Sequence, residues 1–397
     1  MQSVQPESVG LSTDRLARIQ PVMQGYIDRQ EFAGVVTAIS RRGQVAHLAK
    51  VGWQEIENER PMAFDTIFRI ASMSKPITSA AAMMLCEEAK VRLGDPVSRY
   101  IPEFKNSKVM VPRNGCDYDL VPAQREMTVH DLFTHRSGLS YGEDSQSALD
   151  EIYRKETWQR LQKDSQMTLE ELITILAGLP LAFHPGTAFR YSFSIDVLGY
   201  IIQLASDMPF EDFLQERVFT PLGMVDTAFW VPPEKADRLA EIYGPAKGGG
   251  LKPLDEPLTS RYFKPPRAPS GGGGLVSTVS DYLRFGQMLL NQGELDGVRL
   301  LGRKTVEWML QNHLPTGIPA KGDPANGFGL GGSVLLYPGL SHLPGSVGKF
   351  GWSGAANTRW WIDPAEDLQC LLMTQYMPAW AFPIADDFAQ LAYQALE

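Results

Sequence analysis

Cysteine is scarce: Cys86, Cys116 and Cys370 are the only three in 397 residues. Such an odd, widely spaced set offers neither a disulfide framework nor a metal-ligand spacing, so the three read as buried or incidental thiols. Histidine is nearly as sparse, and none of His47, His130, His135, His184, His313 and His342 pairs with another at the spacing of a zinc-binding helix. No metal is expected. Positive charge is in deficit, with 37 basic residues against 46 acidic and a net charge of −9, which argues against a phosphate-binding surface and makes nucleic acid a poor partner. No run of about 18 apolar residues exists to span a bilayer, and the polar stretch 1–18 lacks the apolar core of a secretory signal. The expectation is a cytoplasmic protein without a membrane partner. What the chain does have is 44% hydrophobic residues, enough for a large core in one large or two intertwined domains.

Ser12 stands at an N-cap position, and Leu16, Ile19, Met23 and Ile27 follow at helical spacing, so the chain opens with an amphipathic helix bent at Pro21. Two β-rich runs, 34–40 and 44–51, flank Arg41, Arg42 and Gly43 as a hairpin. Ile77, Ala81, Met84 and Leu85 mark one face of a buried helix that begins near residue 72. The stretch 97–205 reads as mostly helix and loop with few strand patterns. The glycines 271–274 permit a close backbone turn, after which Ser277 or Ser280 caps a helix carrying Tyr282, Leu283, Phe285, Met288 and Leu289. Runs 358–362 and 368–376 make another hairpin, and Ile384, Phe388, Leu391, Ala392 and Ala395 line a last helix. Strands at both ends imply an α+β fold: an antiparallel sheet built from both termini, flanked by terminal helices. Residues 1–85 and 206–397 form the sheet-containing domain, 86–205 the inserted, mostly helical one, with a cleft between. The poorly periodic stretch 231–269 either folds over that cleft or is plain surface covering.

Ser72, Met73, Ser74 and Lys75 form an S-x-x-K motif at the start of the expected helix. A spacing of three puts the hydroxyl and the ammonium on one face. A serine hydroxyl is a weak nucleophile at neutral pH and needs a neighbouring base; lysine serves when burial or nearby positive charge lowers its pKa. The helix N-terminus also favours negative charge developing on the serine oxygen, and Pro76 fits the first turn, where a missing N–H costs least. The pattern occurs twice. Its second copy, Ser346, Val347, Gly348 and Lys349, lies in a Pro- and Gly-rich loop without the helix start that aligns the side chains, and is discounted. Gly138 to Gly142 also spell G-x-S-x-G, which makes a nucleophile only between a buried strand and a helix. Here a helical, His-containing segment precedes and Glu143, Asp144 and Ser145 follow, so Ser140 is set aside.

The segment Arg69, Ile70, Ala71, Ser72, Met73, Ser74, Lys75, Pro76 resembles the nucleophile segment of family VIII carboxylesterases, relatives of class C β-lactamases. Leu132, Phe133, Thr134, His135, Arg136, Ser137, Gly138, Leu139 is similar to that family's L-L-T-H-x-S-G-L stretch. His184, Pro185 and Gly186, followed by Phe189, Arg190, Tyr191 and Ser192, are similar to the segment that delivers its catalytic tyrosine, and 196–199 continue the match. The order and separation of the pieces are the family's, from about residue 34 to the last helix. The resemblance implies that Ser72 is the nucleophile and that Lys75 and Tyr191 handle its proton. A phenol acts as a base only where cations stabilise its phenolate, a charge Lys75 supplies. For His135 and His184 a satisfied structural hydrogen bond is the expected use.

The family's third element is K-T-G in β-lactamases and commonly W-G-G in the esterases; Trp352, Ser353 and Gly354 occupy its place as substrate-binding residues. The missing lysine removes a cation aimed at a substrate carboxylate, which favours a neutral ester. By the same resemblance, the backbone N–H groups of Ser72 and Ala355 form the oxyanion hole. Phe193 stands where β-lactamases carry asparagine and cannot hydrogen-bond an amide. The implied activity is hydrolysis of short-chain carboxylic esters through an acyl-enzyme, without cofactor, on a small-molecule ester. The alternatives are a β-lactamase, a D-amino-peptide hydrolase or an acyltransferase on the same fold, or, from another class, an inactive binding protein.

Overall fold

The computed structural model describes residues 3–113, 118–255 and 260–397. Cys116 lies outside the described residues; Cys86 is half-buried and Cys370 buried, both as free thiols. The expected opening helix is split into a turn, Thr13–Leu16, and α1, Ile19–Asp28. Pro21 explains the break, since it has no N–H to offer the Ala17 carbonyl. Ser12 does stand at the N-cap but its side chain makes no capping hydrogen bond; the Thr13 N–H goes to Glu7 Oε1 at 2.9 Å.

Strands β1 (Gly34–Arg41) and β2 (Gln44–Glu55) turn through Arg42 and Gly43, whose φ values of 52° and 72° give the left-handed pair that matches hairpin twist. A short β3 (Arg60–Pro61) pairs with β2. Helix α2 (Ser74–Glu87) follows a 3₁₀ turn at Ala71–Met73. Residues 86–205 then run through short helices to α3 (Ser194–Ser206), and they also hold a strand pair, Lys108–Pro112 with Tyr118–Pro122, that the sequence reading missed. Its second strand is largely exposed, so no buried apolar alternation marks it. Helix α4 (Val279–Leu290) is capped by Thr278, whose hydroxyl accepts the Asp281 N–H, and not by Ser277 or Ser280. Strands β4 (Asn326–Phe328), β5 (Ser333–Leu335), β6 (Phe350–Ser353), β7 (Arg359–Asp363) and β8 (Leu368–Thr374) precede helix α5 (Ile384–Tyr393).

The eight strands form one sheet in the order β4-β5-β6-β7-β8-β1-β2-β3, antiparallel throughout, so strands from both termini meet at β8 and β1. The fold is α+β. Every residue of β1 is buried, because alternating side chains serve two cores. Val35 and Ile39 join Ile19, Met23, Phe388 and Ala392 under α1 and α5. Val36 and Ala38 join the core of α2, α3 and α4 through Ile77, Leu198, Tyr282 and Phe285. Each fully buried side chain of this kind contributes about 1.5–3 kcal/mol. Helix α4 approaches the sheet at Gly286, where a Cβ would lie 1.5 Å from Gln369 Oε1, so a larger residue would displace the buried Gln369 side chain.

Polar contacts also tie residues 130–136 to residues 308–313. Arg136 donates to His130 Nδ1 at 3.0 Å, which leaves His130 Nε2 to donate to His313 Nδ1 at 3.0 Å, and His313 Nε2 to donate to the Trp308 carbonyl at 2.9 Å. Residues 256–259 of the stretch 231–269 lie outside the described residues. Of the rest, Val231, Leu239 and Tyr262 pack on Ile67 and Val276, bracing the strand pair Phe68–Arg69 and Val276–Ser277 that leads into residue 72. Among the described residues no helix is long and apolar enough to cross a membrane.

Candidate active site

Ala71 enters the site at φ 43°, a left-handed backbone that a residue with a Cβ adopts only under constraint. The constraints come from three sides. Ile70 N–H bonds the Leu275 carbonyl at 3.1 Å, Ser74 Oγ donates to the Ala71 carbonyl at 2.7 Å, and Tyr282 Oη donates to the Met73 carbonyl at 2.7 Å. Ser72 is therefore presented on a fixed 3₁₀ turn at the N-terminus of α2.

Lys75 is fully buried one turn on. Its Nζ donates to Ser72 Oγ at 3.1 Å and to the Gly272 carbonyl at 2.6 Å, and lies 4.4 Å from the Tyr191 ring centroid and 5.2 Å from that of Tyr141. Burial pulls its pKa down to about 7; Asp196 opposes that fall and Lys321 adds to it. Gly272 is fixed in turn by Asp196, which accepts its N–H at 3.1 Å along with the hydroxyls of Ser270 and Tyr141. A Cβ on Gly272 would come within 2.5 Å of Asp196 Oδ2, so the glycine permits this approach. The sequence reading matched Asp196 to the family without giving it a task; its contact with Gly272 spans 76 residues.

Tyr191 arrives on the segment just before α3. Its segment is held by the Arg190 guanidinium on Asp150 at 2.6 Å and by Arg190 N–H on the His135 carbonyl at 2.8 Å. Trp352 Nε1 donates to Tyr191 Oη at 3.2 Å. Burial raises the phenol above its ordinary range, while hydrogen bonds from Ser72 and Trp352 work against that rise. Lys321 Nζ lies 4.4 Å from the same ring centroid and 4.8 Å from that of Trp352. This lysine went unremarked in the sequence, because it sits in a loop with no motif around it.

Strand β6 carries Trp352 and Ser353, and Gly354 follows it. A Cβ on Gly354 would lie 2.2 Å from Thr358 Oγ1 and 2.4 Å from the Ile70 carbonyl, so glycine brings the strand end against the backbone that leads to Ser72. Among the described residues, neither the Ser72 N–H nor the Ala355 N–H has an acceptor. The structure thus brings Ser72, Lys75, Tyr191 and Trp352 together, with Gly354 beside them.

The set-aside motifs lie elsewhere. Ser140 is buried; its hydroxyl donates to Asp150 at 2.6 Å and accepts Arg190 Nε at 3.0 Å, a network that holds the Tyr191 segment. His184 Nδ1 accepts the Gln124 N–H at 3.3 Å. His135 departs from expectation: Nδ1 reaches Ser192 Oγ at 3.4 Å, but Nε2, buried among Phe189, Tyr191 and Phe328, has no partner among the described residues. Burial and the nearby Lys75 and Lys321 keep its pKa well below the ordinary value, so it stays neutral. Among the described residues no three His, Cys, Asp or Glu side chains cluster as a metal site.

The family model described as Beta-lactamase matches residues 19–394. The chain belongs to the Beta-lactamase family. An uncharacterised protein of Mycobacterium tuberculosis is 37% identical over 375 residues, with 90% of each chain covered. Esterase EstB of Burkholderia gladioli is 29% identical over 390 residues, covering 94% of this chain and 93% of its own. The solved structure of EstCE1, described as a hydrolase with promiscuous acyltransferase activity, superposes with a TM-score of 0.82 at 28% identity, over 96% of this chain and 99% of that one. The similarity to EstB and EstCE1 agrees with the resemblance to family VIII carboxylesterases.

Proposed function

We propose that this chain is a serine carboxylesterase that hydrolyses small carboxylic esters through an acyl-enzyme on Ser72. One observation carries the reading: Lys75, fully buried and with its pKa brought down to about 7, reaches Ser72 Oγ at 3.1 Å. A lysine neutral near pH 7 takes the proton of Ser72 as its oxygen attacks the ester carbonyl. The N–H groups of Ser72 and Ala355, free of internal acceptors, hold the oxyanion. Tyr191, kept protonated by burial, gives its proton to the departing alkoxide and recovers one from Lys75. Water then enters with the same groups as base and acid, and the carboxylic acid leaves. Trp352, Ser353 and Gly354 form the substrate wall. The substrate lies between the sheet part, 1–85 and 206–397, which supplies Ser72 and Lys75, and the helical part, 86–205, which supplies Tyr191. No step is routed through a cofactor, and the enzyme works in the cytoplasm.

A second reading, acyl transfer to an alcohol, draws support from the promiscuous acyltransferase activity of EstCE1. It differs only in which nucleophile meets the acyl-enzyme, and the ratio of acid to new ester in the presence of a second alcohol measures it. The principal test is intact mass after a serine-directed phosphonate, with peptide mapping. The expected result is one adduct, on the peptide containing Ser72, absent in Ser72→Ala. Labelling at another serine, or none, overturns the assignment.

A further inference from the structure

Next to Trp352 and Ser353 lies a cavity of about 160 Å³, with Lys321, Asn326, Ser333, Trp352, Ser353 and Arg359 among its lining residues. Ser353 and Arg359 are direct register partners on β6 and β7, so their side chains share one face of the sheet. The Arg359 guanidinium stacks 5.6 Å from the Trp380 ring centroid. Among the described residues, neither it nor the Lys321 ammonium forms an ion pair or a hydrogen bond within the chain. The one carboxylate on this wall, Asp323, is spent on the Ala325 N–H at 2.9 Å and on Asn326 Nδ2 at 2.7 Å. Two unpaired cations therefore face one small space. Lys321 stands at the exposed rim and Arg359 is half-buried; a charge partly withdrawn from water without a partner is costly, and a planar guanidinium matches a carboxylate through two parallel bonds. Burial lowers the pKa of both; Glu143 opposes that fall at Lys321 and Arg359 adds to it, while Asp386 opposes it at Arg359, so an anion between the two cations relieves the repulsion of Arg359 on Lys321.

We propose that this cavity is a carboxylate-binding subsite, and that the preferred ester carries a second, anionic carboxyl group held by Arg359 and Lys321. The proposal deepens the esterase reading and rests on it. It also reverses the inference of a neutral ester: the lysine absent from 352–354 is replaced by cations from β7 and from the loop before β4.

Two substrate pairs test it on the wild-type protein. 4-Nitrophenyl hemiglutarate and 4-nitrophenyl pentanoate differ by a charge on the acyl side, 3-carboxyphenyl acetate and phenyl acetate by one on the alcohol side. The expected result is that kcat/KM favours the charged member of at least one pair about tenfold or more, a preference that shrinks in 1 M salt. It shrinks likewise in Arg359→Gln, while Arg359→Lys retains part of it. No charge preference in either pair, or one that survives both high salt and Arg359→Gln, overturns the subsite. Calorimetric titration of glutarate into Ser72→Ala separates the two claims, since it needs no turnover. Binding in Ser72→Ala that is lost in Ser72→Ala/Arg359→Gln supports the subsite even if Ser72→Ala still hydrolyses esters. No binding, with hydrolysis abolished by Ser72→Ala, removes the subsite and leaves the esterase reading standing.

Discussion

The chain contains the same four-residue pattern twice, and the fold treats the copies differently. Ser72 and Lys75 sit on a turn that runs into α2, with the lysine buried and its ammonium on the serine oxygen. Ser346 and Lys349 sit in the loop before β6. There the Ser346 N–H goes to Asp363 at 2.9 Å, and Lys349 Nζ goes to the Pro344 carbonyl at 3.1 Å and lies 5.4 Å from the Tyr393 ring centroid. Burial also lowers the pKa of Lys349, to about 8. A depressed lysine is thus not sufficient. What distinguishes the first copy is a helical start that aims both side chains at one point, and a phenol brought to that point from another part of the chain.

The largest expected contrast is between the serines. Ser72→Ala should lose at least about a thousandfold in kcat/KM on an activated ester, while Ser346→Ala stays within about twofold. Lys75→Met should lose on the order of a hundred- to ten-thousandfold. Lys349→Met should keep most activity but lower the midpoint of thermal unfolding by a few degrees, since its ammonium supports the Pro344 loop. Equal losses at the two lysines would erase the distinction. Tyr191→Phe, which keeps the ring but removes the proton, should cost roughly a hundredfold with unfolding unchanged.

The finest test is the pH profile. The active form needs neutral Lys75, so kcat/KM should fall about tenfold per unit as pH drops below about 7, and level off above it. Lys321 lowers the pKa of Lys75, so Lys321→Met should move this acid limb to higher pH; a shift the other way, or none, would detach Lys321 from the site.

Several pieces of this arrangement were legible in the sequence because they are local. The hairpin at Arg42 and Gly43 announces itself by apolar runs around a turn, and Ser72 and Lys75 by a spacing of three. Tyr191 was legible only through its flanking match, since an isolated tyrosine carries no such signal. Asp196, the Gly272 carbonyl and Lys321 were not assigned roles because what gives them a role is distance in space: Lys75 and Gly272 are 197 residues apart. Capping at Thr278 escaped for a smaller reason, three hydroxyl residues lying within four positions of one another.

The chain Arg136–His130–His313–Trp308 makes the contact between residues 130–136 and 308–313 readable by protons. Both imidazoles must be neutral for each nitrogen to have its assigned partner, and burial followed by the charges of His313 and Arg136 holds His130 down to about 4. A histidine depressed from 6.5 stabilises the fold fully above that value and gives the stability back as pH falls toward 4. Mild acid should therefore break the His130–His313 bond and remove the stability it contributes, while the core shared by α2, α3 and α4 keeps Tyr191 beside Ser72.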